Sequence, residues 1–147
     1  VNCSLSNLVQ RYIQVHLFAS RKLGTLISSE LGEELTLEQN YALRYLSGKE
    51  QCTVSELAVE LHVKPSAVTA QMNRLVARGY VNRLRDEKDR RVVYLSLSEK
   101  GLAIFKESEE KMNEMIKPYL EQISEDELKQ FILTYEKLEE IIRKEMK

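Results

Sequence analysis

Side chains able to hydrogen-bond to something outside the chain gather in two neighbouring stretches. Over residues 65–79, Val68, Met72, Leu75 and Val76 fall at i, i+4, i+7 and i+8, one apolar face of a helix. Ser66, Ala70, Asn73, Arg74 and Ala77 then point the opposite way, with Thr69 on the shoulder. This outer face is small and polar, and it carries one amide and one guanidinium. In a major groove an amide can pair in plane with adenine and a guanidinium with guanine, for roughly 1–3 kcal/mol of base discrimination per good bidentate contact. Further on, the run Lys88-Asp89-Arg90-Arg91 concentrates charge. Lys88 and Arg90, with the hydroxyls of Ser66 and Thr69, suit phosphate oxygens, which position a protein on a duplex without reading its sequence. Taken alone, an exposed Asn-Arg pair on a helix is ordinary solvated surface. Its surroundings decide otherwise.

Groups of this kind need rigid elements to aim them. Thr53-Val54-Ser55-Glu56 is a capping box, in which Thr53 accepts from the third helical N–H and Glu56 reaches back to the N–H of the cap, so a short helix starts there with Leu57, Ala58 and Leu61 on its apolar face. His62-Val63-Lys64 is a tight connection, Pro65 suits the first position of a second helix, and Gly79 stops that helix as a left-handed residue. Two short helices so spaced predict a helix-turn-helix whose second helix lies in a major groove. Residues 80–84 and 92–97 are rich in β-branched and aromatic side chains and read as two strands, with the charged stretch 85–91 as the loop of a hairpin wing. Gln51-Cys52 can add a short strand beside it, which would bury Cys52. From His62 to Leu95 eight basic residues stand against three acidic ones, a local +5 in a chain of net charge −1, which leaves −6 for the remainder. Phosphate attraction is local, so this asymmetry says more than the overall charge.

The run Asp89-Arg90-Arg91-Val92-Val93-Tyr94-Leu95-Ser96-Leu97-Ser98-Glu99-Lys100-Gly101, following Arg74-Leu75-Val76-Ala77-Arg78-Gly79-Tyr80-Val81, is similar to the multiple-antibiotic-resistance-regulator (MarR) family of bacterial winged-helix repressors. The shared pattern is Asp-x-Arg, a strand, then Leu-Ser/Thr-x-x-Gly. Chain length and helix order agree too, so the resemblance covers nearly all the chain. It implies an obligate homodimer that binds a pseudopalindromic double-stranded operator and leaves it when a small phenolic or other ligand binds, or when a cysteine oxidises. It also implies that Arg91 is the wing-tip residue placed in the minor groove and Asp89 the carboxylate that holds it. Effectors of the family occupy a crevice between the dimer helices and the head. Here His16, Arg21, Tyr41 and Tyr45 combine apolar bodies with polar tips, and they are the candidates for lining it around a small aromatic or phenolic effector, with Arg21 or His16 as counter-charge to an aromatic carboxylate.

The flanks read as helices. Apolar residues from Leu5 to Leu31 recur at three and four, with Val15 and Phe18 on other faces, which predicts one long helix ended by Gly32 and covered by a partner subunit. Thr36-Leu37-Glu38-Gln39 is a second capping box, opening a helix that Gly48 stops. Ser98 is a natural N-cap. Leu102, Phe105, Met112, Ile116, Tyr119 and Ile123 then form a heptad-like seam, interrupted by Glu109, with a kink or break expected at Pro118. Ser124-Glu125-Asp126-Glu127 opens a last helix striped by Leu128, Phe131, Tyr135, Leu138 and Ile142. The expected architecture is mainly α (α+β), with a winged helix-turn-helix over 36–97 and dimerisation helices over 5–31 and 98–145.

Several function classes fall away. No apolar run approaches the ~20 residues that cross a bilayer and no signal-peptide pattern opens the chain, so a cytoplasmic protein without membrane contact is expected. Cys3 and Cys52 are too few for a disulfide scaffold. In the hydroperoxide-sensing members of the resembled family the reactive cysteine precedes a Ser-Arg pair by about two turns, and counting back from Ser20-Arg21 reaches Ile13, so Cys3 is out of register. With His16 and His62 as the only histidines, a zinc site is not expected. No nucleophile elbow or phosphate-cradling glycine loop is present, so neither an enzyme nor a cofactor is expected. The remaining alternatives to a ligand-released repressor are a winged-helix module that docks onto proteins without binding DNA and a cysteine-based redox repressor.

Overall fold

A computed structural model describes residues 4–146. In chain order the elements are α1 (Leu5–Leu31), α2 (Leu37–Ser47), β1 (Cys52–Thr53), α3 (Val54–Leu61), α4 (Pro65–Ala77), β2 (Val81–Arg85), β3 (Val93–Leu97), α5 (Glu99–Leu120) and α6 (Glu125–Glu145). The strands form one antiparallel sheet in the order β1-β3-β2. The chain divides into two compact units, the first ending at Met112 and the second beginning at Asn113.

Local chemistry sets most boundaries. Thr36 and Thr53 each complete a reciprocal capping box, with Gln39 and Glu56 respectively. Ser124 accepts from the Glu127 N–H at 3.3 Å, and Ser98 from the Gly101 N–H at 2.9 Å. At the end of α4, Gly79 is left-handed (φ 80°), its N–H bonds to Val76 O, and the Tyr80 N–H bonds to Leu75 O at 2.9 Å, which is a Schellman closure. Since that closure uses the Tyr80 N–H, β2 begins one residue later than the side-chain pattern suggests. Similarly, the Val92 N–H bonds to Asp89 O at 3.0 Å inside the loop, so β3 begins at Val93. β1 is also displaced by one residue, pairing Cys52 with Leu95 and Thr53 with Tyr94. His62 ends α3 in a left-handed conformation (φ 56°), where glycine is the usual occupant.

Of the kink or break expected at Pro118, the break needs correction. α5 is not broken at Lys117 but runs through Pro118 to Leu120. Proline in the last turn removes one N–H only, and the turn closes around it through Glu121 N–H to Lys117 O (2.9 Å) and Gln122 Nε2 to Pro118 O (3.1 Å).

The core of the first unit is built from the apolar faces of α2, α3 and α4 against the sheet, with Leu43, Leu57, Val68, Met72, Leu75 and Leu95 fully buried. Inside it lies a polar pair 68 residues apart in sequence. Asn40 Nδ2 donates to Ser108 Oγ at 2.7 Å, and that hydroxyl donates to Phe105 O at 2.7 Å, so α2 and α5 are tied with both side chains satisfied. Gly101 sits where a Cβ would lie 1.9 Å from the Tyr80 carbonyl oxygen, which explains the glycine of the Leu-Ser-x-x-Gly pattern as a close approach of α5 to the end of α4. By contrast, α1 buries only Leu31, and α6 buries no residue.

Candidate nucleic-acid interface

α4 is positioned by what it buries. Val68, Met72 and Leu75 anchor it, Pro65 occupies its first turn, and Gln71 ties it to α2, donating to Glu38 at 3.3 Å and accepting from Gln39 at 3.4 Å. Ser66, Thr69, Ala70, Asn73 and Arg74 are consequently all exposed on its outer face. Two of these side chains are already engaged. The Thr69 hydroxyl donates to Pro65 O at 3.1 Å, so its proton must turn away from the helix before it can meet a phosphate. Asn73 Oδ1 accepts a hydrogen bond from Arg83 Nη2 on β2.

The wing is organised by a carboxylate that spacing did not single out. Asp86 Oδ1 accepts from the backbone N–H groups of Lys88 (2.7 Å) and Asp89 (3.0 Å), and Oδ2 accepts from the Tyr94 hydroxyl at 3.2 Å. These bonds, the Asp89 and Lys88 N–H groups foremost, hold the Asp86 carboxyl below its usual range, and the same carboxylate pushes the Tyr94 phenol up. Arg85 Nη1 donates to Arg90 O at 2.9 Å across the base of the loop. Asp89 Oδ1 accepts from both the N–H (3.0 Å) and Nε (3.1 Å) of Arg91, while Arg91 Nη2 lies 3.4 Å from Oδ2. The Arg91 side chain is thus aimed by Asp89 and yet 92% exposed. Lys88 and Arg90 are exposed on the same loop.

Not every basic residue of the stretch is available for a partner. Arg78 pairs with Glu34 at 3.1 Å and stacks over Tyr80 at 4.9 Å, with the Lys100 ammonium 5.3 Å from the same ring. Glu34 lies outside His62–Leu95, so the surplus of the wing and α4 is smaller than composition alone indicates. Arg78 belongs to the packing of this corner.

The four candidates for an effector pocket lie on two helices, His16 and Arg21 on α1 and Tyr41 and Tyr45 on α2. Tyr41 lines a cleft of about 370 Å³ with Leu37, Glu38, Glu60, Leu61 and His62, and its hydroxyl donates to Glu60 at 2.9 Å. Tyr45 stands outside that lining, with the Lys49 ammonium 5.1 Å from its ring. His16 and Arg21 lie on α1; the His16 ring stacks on Tyr12 at 5.6 Å, and neither residue lines the cleft. Among the described residues no group of three His, Cys, Asp or Glu is placed to hold a metal ion, and no helix is long and apolar enough to cross a membrane.

Cys3 lies outside the described residues. Cys52 is 2% exposed, and burial first, then Glu56, pushes its thiol up to about 11. The fold holds the neutral thiol, so the corresponding contribution to stability is complete below the ordinary thiol value of 9.0 and is lost as the pH rises through about 11. We expect iodoacetamide at pH 8 to leave Cys52 unmodified in the native protein and to alkylate it in denaturant, as read by peptide mass. Prompt native modification would show that the thiol is accessible.

Comparison with known proteins agrees with this geometry. The MarR family profile matches residues 24–93. The chain is 33% identical over 105 residues to the HTH-type transcriptional repressor MdtR of Bacillus subtilis, covering 71% of this chain and 68% of that protein. Among solved structures it is similar to the YusO protein of Bacillus subtilis, at 31% identity and a TM-score of 0.68, covering 93% of this chain and 98% of that one. The fold is also that of MarR from E. coli, crystallised as a cysteine-to-serine mutant with operator DNA, at a TM-score of 0.75 and 23% identity over 92% of this chain and 98% of the other. With a winged helix-turn-helix, an exposed polar face on α4 and relatives that are transcriptional regulators and not enzymes, the chain belongs to the MarR family of DNA-binding transcriptional regulators.

Proposed function

We propose that the protein is a homodimeric transcriptional repressor that occupies a pseudopalindromic operator and leaves it when a small molecule binds. The observation that carries the reading is one compact unit that presents both the outer face of α4 and a basic wing whose Arg91 is aimed by its own Asp89. In this reading residues 36–97 form the DNA-binding region, and 5–31 with 98–145 form the dimerisation helices. Asn73, Arg74 and Ala70 face base edges in the major groove, and Arg91 enters the minor groove. Ser66, Thr69, Lys88 and Arg90 meet phosphates. A second copy of the chain is supported by apolar side chains left in the open on α1 and on α6, among them Phe18 at 72% and Phe131 at 55% exposure. Acting on chromosomal DNA, such a regulator works in the cytoplasm.

For the effector, Tyr41 and its cleft support a small aromatic or phenolic molecule. A neutral phenol would meet no like charge there, whereas an aromatic carboxylate would face Glu38 and Glu60. The effector acts only through its differential affinity for two head spacings, so ~100-fold weaker DNA binding requires ~2.7 kcal/mol of coupling. A protein-docking module has no use for the basic wing, and a redox repressor built on Cys52 would need a thiolate that burial disfavours.

Selection from genomic fragments should return sites with two half-sites about one helical turn apart. On such a site Arg91→Ala should weaken binding by roughly tenfold, while Arg143→Ala, on α6, should change it little. Wild-type affinity should fall steeply with salt. Equal effects of the two substitutions, or protected single half-sites, would overturn the reading.

A further inference from the structure

The hydrogen bond between Arg83 and Asn73 changes what the recognition face can read. Asn73 alone carries an acceptor and a donor side by side, the arrangement that pairs with the N6 amino group and N7 of adenine. Here Arg83, projecting from β2, donates from Nη2 to Asn73 Oδ1. The orientation of the amide follows from chemistry, because the flipped rotamer would set Nδ2–H groups against guanidinium N–H groups. One oxygen lone pair is therefore occupied, and a permanent positive charge with further N–H donors stands beside it. Arg83 and Asn73 are both exposed, so the pair faces outward.

We propose that Arg83 is a positioning residue that converts Asn73 into part of a composite donor, selecting guanine in place of the adenine a lone asparagine would take. Guanine presents acceptors at both N7 and O6 in the major groove, which suit the Asn73 Nδ2–H and the remaining Arg83 N–H groups. Adenine would bring its N6 amino donor against the same guanidinium. The proposal rests on the reading that the outer face of α4 meets base edges, and it adds a wing-strand residue to base selection.

Selection of binding sites from a randomised double-stranded oligonucleotide library tests it, using the full chain as wild type, Arg83→Met, Arg83→Lys and Asn73→Ala. The wild type should retain guanine at one base pair in each half-site, and Asn73→Ala should lose preference at that pair alone. Arg83→Met should shift the same pair toward adenine by roughly tenfold in relative enrichment, the scale of one bidentate contact, with preferences elsewhere unchanged. Arg83→Lys keeps the charge but lacks the planar fork, so it should relax the position without restoring adenine. If Arg83→Met weakens binding to every sequence alike and the selected base stays the same, Arg83 is a phosphate contact and the proposal fails while the groove assignment stands. If Asn73→Ala leaves every position unchanged, the groove assignment fails and the proposal with it.

Discussion

Replacing Gly101 by alanine should lower the melting temperature by about 10 °C, a large response to a single methyl group. An added Cβ would lie 1.9 Å from Tyr80 O and 2.8 Å from Tyr80 C, both backbone atoms. Neither side can yield cheaply. Tyr80 is fixed by its N–H bond to Leu75 O, and its carbonyl accepts from the Ser98 N–H at 3.1 Å. The Ser98 hydroxyl in turn donates to Gly79 O and accepts from the Gly101 N–H. Overpacking typically costs 1–3 kcal/mol where side chains can adjust; with backbone on both sides about 3 kcal/mol is expected, and at roughly 3 °C per kcal/mol for a chain of this size that gives the stated shift. Gly24→Ala is the matching control. Its Cβ would meet only Leu37 Cδ1 at 3.7 Å, inside a helix, and should stabilise by about 0.5–1 kcal/mol. Thermal unfolding of the two variants followed by circular dichroism checks both signs. An unchanged melting temperature for Gly101→Ala would mean that α5 and the end of α4 are not packed as described.

A glutamate at Phe18 or at Phe131 should convert the proposed dimer into a monomer and weaken operator binding by at least ~100-fold. Phe18 on α1 and Phe131 on α6 are exposed within the protomer, and Phe131 stacks on Tyr135 of its own helix at 5.4 Å. A carboxylate at either place therefore costs the protomer's own fold little. In an apolar interface the same carboxylate would be buried without a partner, and that penalty exceeds what a standard interface can absorb. The loss of DNA binding follows because two linked heads bind with an avidity that commonly exceeds single-head affinity by about 10²–10⁴. Sedimentation at low micromolar concentration and operator titration read the two effects separately. A stable, soluble wild-type monomer would remove the dimer from the proposal, and variants that stay dimeric would remove Phe18 and Phe131 from its interface.

The sequence by itself determined whatever depends on residues within about one helical turn of each other. Capping boxes at Thr36 and Thr53, proline at the start of α4, the left-handed Gly79 and the apolar stripe through Val68, Met72 and Leu75 are all short-range, since a cap or a helix face is defined by spacing alone. The same logic made the outer residues of α4 legible as a face and the wing legible as a charged loop between strands. Strand starts were misjudged by one residue because a side-chain pattern does not reveal that the N–H groups of Tyr80 and Val92 are already used in turns. Tertiary structure alone decided the rest. It decided that Asp86 would meet the Tyr94 hydroxyl across the hairpin and that Arg83 would take the Asn73 carbonyl. It decided that Arg78 would be spent on Glu34 and Tyr80, and that Asn40 would find Ser108. It also decided that Gly101 would stand against the Tyr80 backbone. Most of these contacts join residues whose separation in sequence carries no periodicity, so only the folding of several elements onto one core brings them within hydrogen-bonding or van der Waals reach.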